Sequence, residues 1–314
     1  MPGLYLKSCQ HMEELADDSI DLIVTSPPYW MPLDDPYLRD AAAQTVRPRT
    51  TPSQTTSSRQ SNTGQPKTRQ GKSRQPSVTP VPTYAEFLGW LETCFTQCYR
   101  VLKPGRFCAV VVNTTLVDGE MIPLPFHLVG RLERVGFVFH QDIMWYRWRG
   151  WDRRAGTVIQ HPYPGYYRPN RVVEYVLVFR KPGGKRLFVG RSPAQREASR
   201  IPIDGLFTRE IALNLWHMAS VQPRSRPHPC PFPEELAYRL ITLYSYRGER
   251  VLDPFLGSGT TAKVARLTGR DYYGYEINPV FLRAARRRLQ ETTLERQDWL
   301  SRCHHAHSTF SSSP

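Results

Sequence analysis

Two short runs in the 314-residue chain combine side chains able to do chemistry. The first is Thr25-Ser26-Pro27-Pro28-Tyr29. It sets a hydroxyl, a carbonyl stiffened by proline and an aromatic face side by side. That grouping suits a planar heterocycle carrying an amino group. The competing reading is a proline turn that only closes a strand. The second run is Asp253-Pro254-Phe255-Leu256-Gly257-Ser258-Gly259-Thr260-Thr261, an acid and a Gly-rich turn opening a helix. Glycines permit unusual dihedrals and close backbone approach, and a helix start offers unpaired N–H groups to an anion. Glu276 follows Gly259 by 17 residues, where an acid can accept hydrogen bonds from both hydroxyls of a ribose. A ligand-free βα turn is the bland alternative.

Metal chemistry has less support. Cys94 and Cys98 lie four apart on an apolar helical face, which predicts core packing. Cys303, His304, His305 and His307 sit in a Ser-rich tail read as solvated, so no metal site is expected.

The elements that must carry the two runs follow from periodicity. Ile20 to Thr25 is a nearly continuous apolar run, as expected for a strand buried on both faces, and the two prolines must end it. A strand is expected over Leu4–Leu6 and a short helix over His11–Leu15. Phe87, Leu88, Leu91, Phe95, Cys98 and Leu102 recur at helical spacing. Strands are predicted over Phe107–Val112, Phe137–Trp145, Glu174–Phe179, Val251–Phe255 and Tyr272–Ile277. Helices are predicted over Phe126–Val135, Glu234–Tyr244, Thr260–Leu267 and Pro279–Leu289, the last capped by Asn278. The alternation implies an α/β fold with a doubly wound, mostly parallel sheet and one antiparallel strand. Ligands of such sheets bind at the carboxyl ends of the strands.

Composition bounds the rest. A net charge of +14 points to a polyanionic partner. Residues 34–82 are polar and Pro-rich, and 41–80 carry seven cations and no acid, half of the net charge. That segment is expected to be a disordered basic insertion. The six cysteines are scattered and no apolar run of about 18 residues exists. The expectation is a thiol-bearing, cytoplasmic protein without a membrane span.

These motifs carry a resemblance. VTSPPY resembles the catalytic signature of amino-directed DNA methyltransferases, and within them the N4-cytosine group. VLDPFLGSGTT resembles that family's cofactor loop, GYEINP its ribose-binding strand end, and HPCPFPEELAYRLI, residues 228–241, the segment covering the cofactor. RVLKPG, GFVFHQDIMWYR and RVVEYVLVFRK resemble its connecting elements. The order, with catalytic signature before cofactor loop, is that of the circularly permuted β class. The resemblance implies a Rossmann-like enzyme that moves a methyl group from S-adenosyl-L-methionine to N4 of cytosine in double-stranded DNA. It implies catalysis by Ser26, Pro27, Pro28 and Tyr29. It implies cofactor contacts by Asp253, Pro254, Phe255, Gly257, Ser258, Gly259, Thr260, Glu276, Phe232 and Ser8.

It further implies a bacterial, nucleoid-associated setting and a cognate restriction endonuclease as a second partner. Residues 1–33 and 83–180 are then the catalytic part of one domain, and 228–295 its cofactor part. Residues 181–227 are a candidate target-recognition segment, helped by the basic and aromatic loop 147–170, and 296–314 are a flexible tail. Two positions depart from the pattern. Lys7-Ser8 stands where the family has Gly-Asp, and Val173-Glu174 where it has His-Glu. An N6-adenine methyltransferase of the same fold, a methyltransferase acting on protein glutamine or RNA, and a non-catalytic DNA-binding protein remain as alternatives. Base analysis of product DNA separates the first, and the Ser26 in place of Asn before the prolines argues against the second. Intact Ser26, Tyr29, Asp253 and Glu276 argue against the third.

Overall fold

The computed structural model describes residues 2–30, 83–147, 163–165, 167, 169, 171–221 and 231–294. The insertion beyond Trp30, most of the 147–170 loop and the tail from 295 lie outside them.

Eight strands form one sheet. In chain order its members are β1 (Gly3–Tyr5), β2 (Ile20–Thr25), β3 (Leu102–Val112), β6 (Val138–Tyr146), β7 (Val173–Arg180), β8 (Leu215–His217), β9 (Arg250–Asp253) and β10 (Asp271–Tyr275). Their spatial order is β1-β10-β9-β2-β3-β7-β6-β8. All neighbours pair in parallel except β7, which runs antiparallel to both β3 and β6. The fold is thus the expected doubly wound, Rossmann-like sheet with a single antiparallel strand. β1 pairs with β10, so the two ends of the described chain build one sheet rather than two domains.

Side-chain alternation divides the core in two. Ile20 and Ile23 of β2, with Cys108, Val110 and Val112 of β3, face one layer. Leu22 and Val24, with Ala109 and Val111, face the other. The first layer is covered by α1 (Tyr84–Val101) and α2 (Leu124–Val135), the second by α4 (Glu234–Tyr244) and α5 (Thr260–Leu267). α6 (Pro279–Arg288) packs on α5 and the glycine loop through Leu282 and Ala285. Cys94 and Cys98 are fully buried in the first layer, as the helical spacing predicted. The four described cysteines are all free. Among the described residues no helix is long and apolar enough to cross a membrane.

Two local expectations change. Residues 11–15 form turns, not a helix. Arg100 on α1 donates to the carbonyls of Met12 (2.9 Å) and Leu15 (3.0 Å), fixing those groups away from a helical ladder. A small hairpin, β4 (Thr115–Val117) with β5 (Glu120–Ile122), turns on Asp118 and Gly119, both at positive φ. The Asp-Gly pair is the sequence signal for it.

The segment 181–221 has structure of its own. It leaves β7 at the amino edge of the sheet, where the Lys181 amide donates to the Arg106 carbonyl (2.9 Å). It includes α3 (Pro193–Ala198). Arg191 pairs with Glu249, and Ser199 accepts from the Arg247 amide (2.8 Å), both just before β9. A single π-type turn, Phe207–Ile211, precedes β8, which rises beside β6 to the opposite edge. Residues 181–200 therefore dock at the amino edge, and 218–221 reach the carboxyl edge, roughly 20 Å away for strands of this length.

Candidate active site

The carboxyl edge gathers both chemical runs. β2 and β9 are adjacent, in register at Leu22 with Val251 and Ile23 with Leu252. Ser26–Tyr29 and Pro254–Gly259 therefore leave the sheet side by side. Ser26, Pro28 and Tyr29 are half-buried and Pro27 is buried, as a turn on the rim of a sheet requires.

Asp253 joins the two runs. One carboxylate oxygen accepts from the Thr25 hydroxyl (2.6 Å) and the Phe255 amide (3.1 Å), and the other from the Thr261 hydroxyl (2.8 Å). The carboxylate is directed at Thr25 and Thr261. It clamps the end of β2 to the glycine loop and to the first turn of α5. Burial raises its pKa to about 6, opposed by those three donors.

The loop beyond it needs glycine. Gly257 has φ 51 and Gly259 φ 83. A Cβ on Gly259 would also stand 2.7 Å from the Cβ of Ala285, so this glycine serves helix packing as well as dihedral freedom. The Gly257 amide donates to Oε2 of Glu276 (2.8 Å) and the Asn278 amide to Oε1 (2.7 Å). Glu276 is buried at the end of β10, and burial lifts its pKa to about 7. A carboxylate has about four lone-pair positions, so acceptor capacity remains for further donors. Beneath the loop, Arg288 reaches both the Thr260 hydroxyl (2.7 Å) and Glu234 (2.5 Å), and Lys263 pairs with Glu234 (2.9 Å).

The remaining expected residues are less tightly placed. Ser8 lies past β1, on the side of Glu276, whose amide donates to the Tyr5 carbonyl (3.0 Å). Its hydroxyl accepts from the Gln10 amide (3.3 Å). Lys7 pairs with Glu13 and Glu14, and Glu14 accepts from the Tyr275 hydroxyl (3.0 Å). Phe232 is buried with Leu236 and Leu240 in the second core layer. Phe255 meets Trp90 (ring centroids 5.7 Å) and Phe95 (6.2 Å) on α1. The same helix, through Tyr84, meets Trp30 just after the Ser26–Tyr29 turn (5.2 Å).

Sequence reasoning quoted two further residues without giving either a role here. Thr261 carries half of the clamp on Asp253. Glu174, at the start of β7, accepts from the Tyr29 hydroxyl (3.0 Å) and pairs with Arg147 (3.0 Å). Burial raises the Glu174 pKa against the pull of Arg147 and Tyr29.

The profile of the N6/N4 methylase family, described as DNA methylase, matches residues 20–287. The chain belongs to that DNA methylase family. Its relatives agree. The Type II methyltransferase M.MjaI of Methanocaldococcus jannaschii is 28% identical over 282 residues, covering 85% of this chain and 84% of that protein. The DNA adenine methyltransferase YhdJ of Escherichia coli is 27% identical, over 65% of this methylase and 67% of its own length. Among solved structures, a DNA modification methylase of Thermus thermophilus complexed with S-adenosyl-L-methionine superposes with a TM-score of 0.64. It is 25% identical and spans 92% of this methylase and 93% of that chain. The PvuII DNA methyltransferase, cytosine-N4-specific, shares the fold at TM-score 0.58 and 17% identity, over 93% and 88% of the two chains.

Proposed function

We propose that this methylase transfers the methyl group of S-adenosyl-L-methionine to N4 of cytosine in double-stranded DNA. The observation that carries the reading is the fusion of the two runs at one sheet edge, with Asp253 tying the strand that ends in Ser26 to the glycine loop.

The residues present fit such a cofactor. Glu276 has lone pairs for two ribose hydroxyls, the loop from Pro254 to Gly259 offers a turn at positive φ, and α5 opens with its N–H groups towards it. The Thermus relative was solved with that molecule. The proposed cofactor-facing set is Pro254, Phe255, Gly257, Ser258, Gly259, Thr260 and Glu276, with Ser8 and Phe232 at its margins and Asp253 holding the loop. The bound cofactor would supply an electrophilic methyl group.

The chain supplies the rest. An exocyclic amino group conjugated to its ring is a poor nucleophile. The Ser26 hydroxyl and Pro27 carbonyl accept its N–H bonds and turn its lone pair outward, while Tyr29 stacks on the ring. Holding the reactants in line can be worth about 7–11 kcal/mol. The base must leave the duplex to enter, at a cost of a few kcal/mol. The basic and aromatic 147–170 loop, with residues 218–221 at the carboxyl edge, is proposed to hold the opened duplex. A cognate restriction endonuclease is the partner proposed beside DNA.

Ser26 in place of Asp favours cytosine by resemblance. The adenine relative favours a second reading, N6 of adenine, because either oxygen can accept from either amino group. Nucleoside mass spectrometry of DNA methylated by the protein separates them. N4-methylcytosine is expected, and N6-methyladenine alone would overturn the cytosine reading but not the cofactor. Ser26→Ala should lower kcat by about 100-fold or more while cofactor affinity holds, since its bond matters chiefly in the transition state.

A further inference from the structure

The Tyr29 hydroxyl donates to Oε2 of Glu174, and Oε1 of Glu174 pairs with Arg147. Glu174 comes from β7, two strands away from β2, so this contact crosses the end of β3. The frame around it is pinned. The Arg147 amide donates to the Val172 carbonyl (2.8 Å), Arg147 Nη2 to the Arg171 carbonyl (2.5 Å), and Arg171 to the Thr114 carbonyl beyond β3. Glu174 is 9% exposed. A carboxylate that far out of water is costly unless partners compensate it, and its two partners here belong to separate pieces of the site. Tyr29 is the ring of the catalytic turn, and Arg147 begins the basic and aromatic loop.

We propose that Glu174 is a positioning residue for methyl transfer, fixing the Tyr29 ring at the mouth of the site and fastening it to Arg147. The inference rests on the reading of Tyr29 as the ring that stacks on the target base. Bonded at its hydroxyl, the ring is held in one orientation before the base arrives. Released, it must be ordered on each turnover. The effect therefore falls on the step after cofactor binding. A carboxylate serving merely to neutralise Arg147 would change thermal stability and leave the base-stacking step alone.

The test is a mutant cycle in the full-length protein, with methyl transfer to duplex DNA followed at S-adenosyl-L-methionine concentrations varied up to saturation. Glu174→Ala should lower kcat about tenfold or more with the cofactor KM unchanged. Tyr29→Phe should lose a similar factor, and Glu174→Ala added to Tyr29→Phe should lose little more. Glu174→Gln, whose single amide oxygen can accept from Tyr29 but leaves Arg147 facing an NH2 group, should recover part of the rate. Glu174→Asp, one methylene shorter, should behave like Ala while keeping a charge for Arg147, and it carries the test if Glu174→Ala fails to fold. A duplex with 2-aminopurine at the target position reads the stacking directly, its fluorescence rising in Glu174→Ala and Glu174→Asp and less so in Glu174→Gln. Losses from Glu174 and Tyr29 that multiply independently, or full activity in Glu174→Asp, would overturn the proposal. A wild-type protein that methylates no base would instead remove the functional reading beneath it.

Discussion

At the scale of single residues, two buried carboxyl groups share one sheet edge and do different work. Asp253 has both oxygens engaged by Thr25, Thr261 and the Phe255 amide. Glu276 holds two backbone amides and keeps acceptor capacity. Burial lifts the Glu276 pKa from 4.5 to about 7. The ligand-free fold is therefore favoured by the protonated form. Its contribution to stability is complete below about 4.5 and is lost as pH rises towards about 7. A ribose donating two hydrogen bonds favours the opposite, ionised form. S-adenosyl-L-methionine should accordingly bind more tightly as pH rises from 6 to 8, by at most about tenfold per pH unit and levelling above the Glu276 pKa. Calorimetry across that range checks it, with Glu276→Gln as control. That variant should bind more weakly at pH 8 and lose this part of the pH dependence. An identical slope in both proteins would take Glu276 out of the ribose site.

At the scale of elements, the glycine loop is shaped as much by α6 as by any ligand. Gly259 sits at φ 83, which costs an L-residue about 1–2 kcal/mol, and its missing Cβ leaves room for Ala285. Gly259→Ala should lower the melting temperature through both terms. Ala285→Gly alone should cost about 1 kcal/mol as a helix substitution. The double variant should be less destabilised than the two singles summed, because the second change removes the clash created by the first. Strict additivity in thermal melts would mean that the contact is not felt. Such couplings also mark where sequence reading succeeded and stopped. β2, α4 and α5 were legible to the residue, because apolar runs and punctuating prolines or glycines act locally. Residues 11–15 were not, since Met12 and Leu15 imitate one helical turn while Arg100, on a distant helix, holds their carbonyls. The dock of 181–200 at the amino edge rests on Arg191 with Glu249 and is equally non-local. The two chemical runs could be read as strand ends, and β2 and β9 bring them to one sheet edge. Glu174 was legible only as half of the pair standing where the resembled family has His-Glu; its link to Tyr29, 145 positions earlier, follows no spacing rule.

At the scale of the whole molecule, charge and connectivity meet at the insertion. Residues 41–80 hold seven of the chain's cations with no acid among them, against a net charge of +14. The chain departs after Trp30 and re-enters at Thr83, the N-cap of α1. There Trp30 packs against Tyr84 with ring centroids 5.2 Å apart, so the segment leaves and returns at one place. The capping box of Thr83 and Glu86 starts α1 from its own residues. Nothing in this junction requires a long connection. Replacing 34–82 by a short Gly/Ser linker should therefore leave the fold intact and, through the smaller loop-closure cost, even stabilise it by about 1–2 kcal/mol. The cations are a different matter. Each phosphate contact they make on a duplex releases a counterion, contributing roughly −0.9 to the slope of log K against log salt. Removing seven should flatten that slope by up to about six and weaken non-specific binding most at low salt. Fluorescence anisotropy on a duplex of arbitrary sequence, titrated from low to physiological salt, measures the slope, and a thermal melt measures the fold. A shortened protein that unfolds would make the segment part of the architecture. One that folds and keeps the original salt slope would show that the insertion's charge never touches DNA.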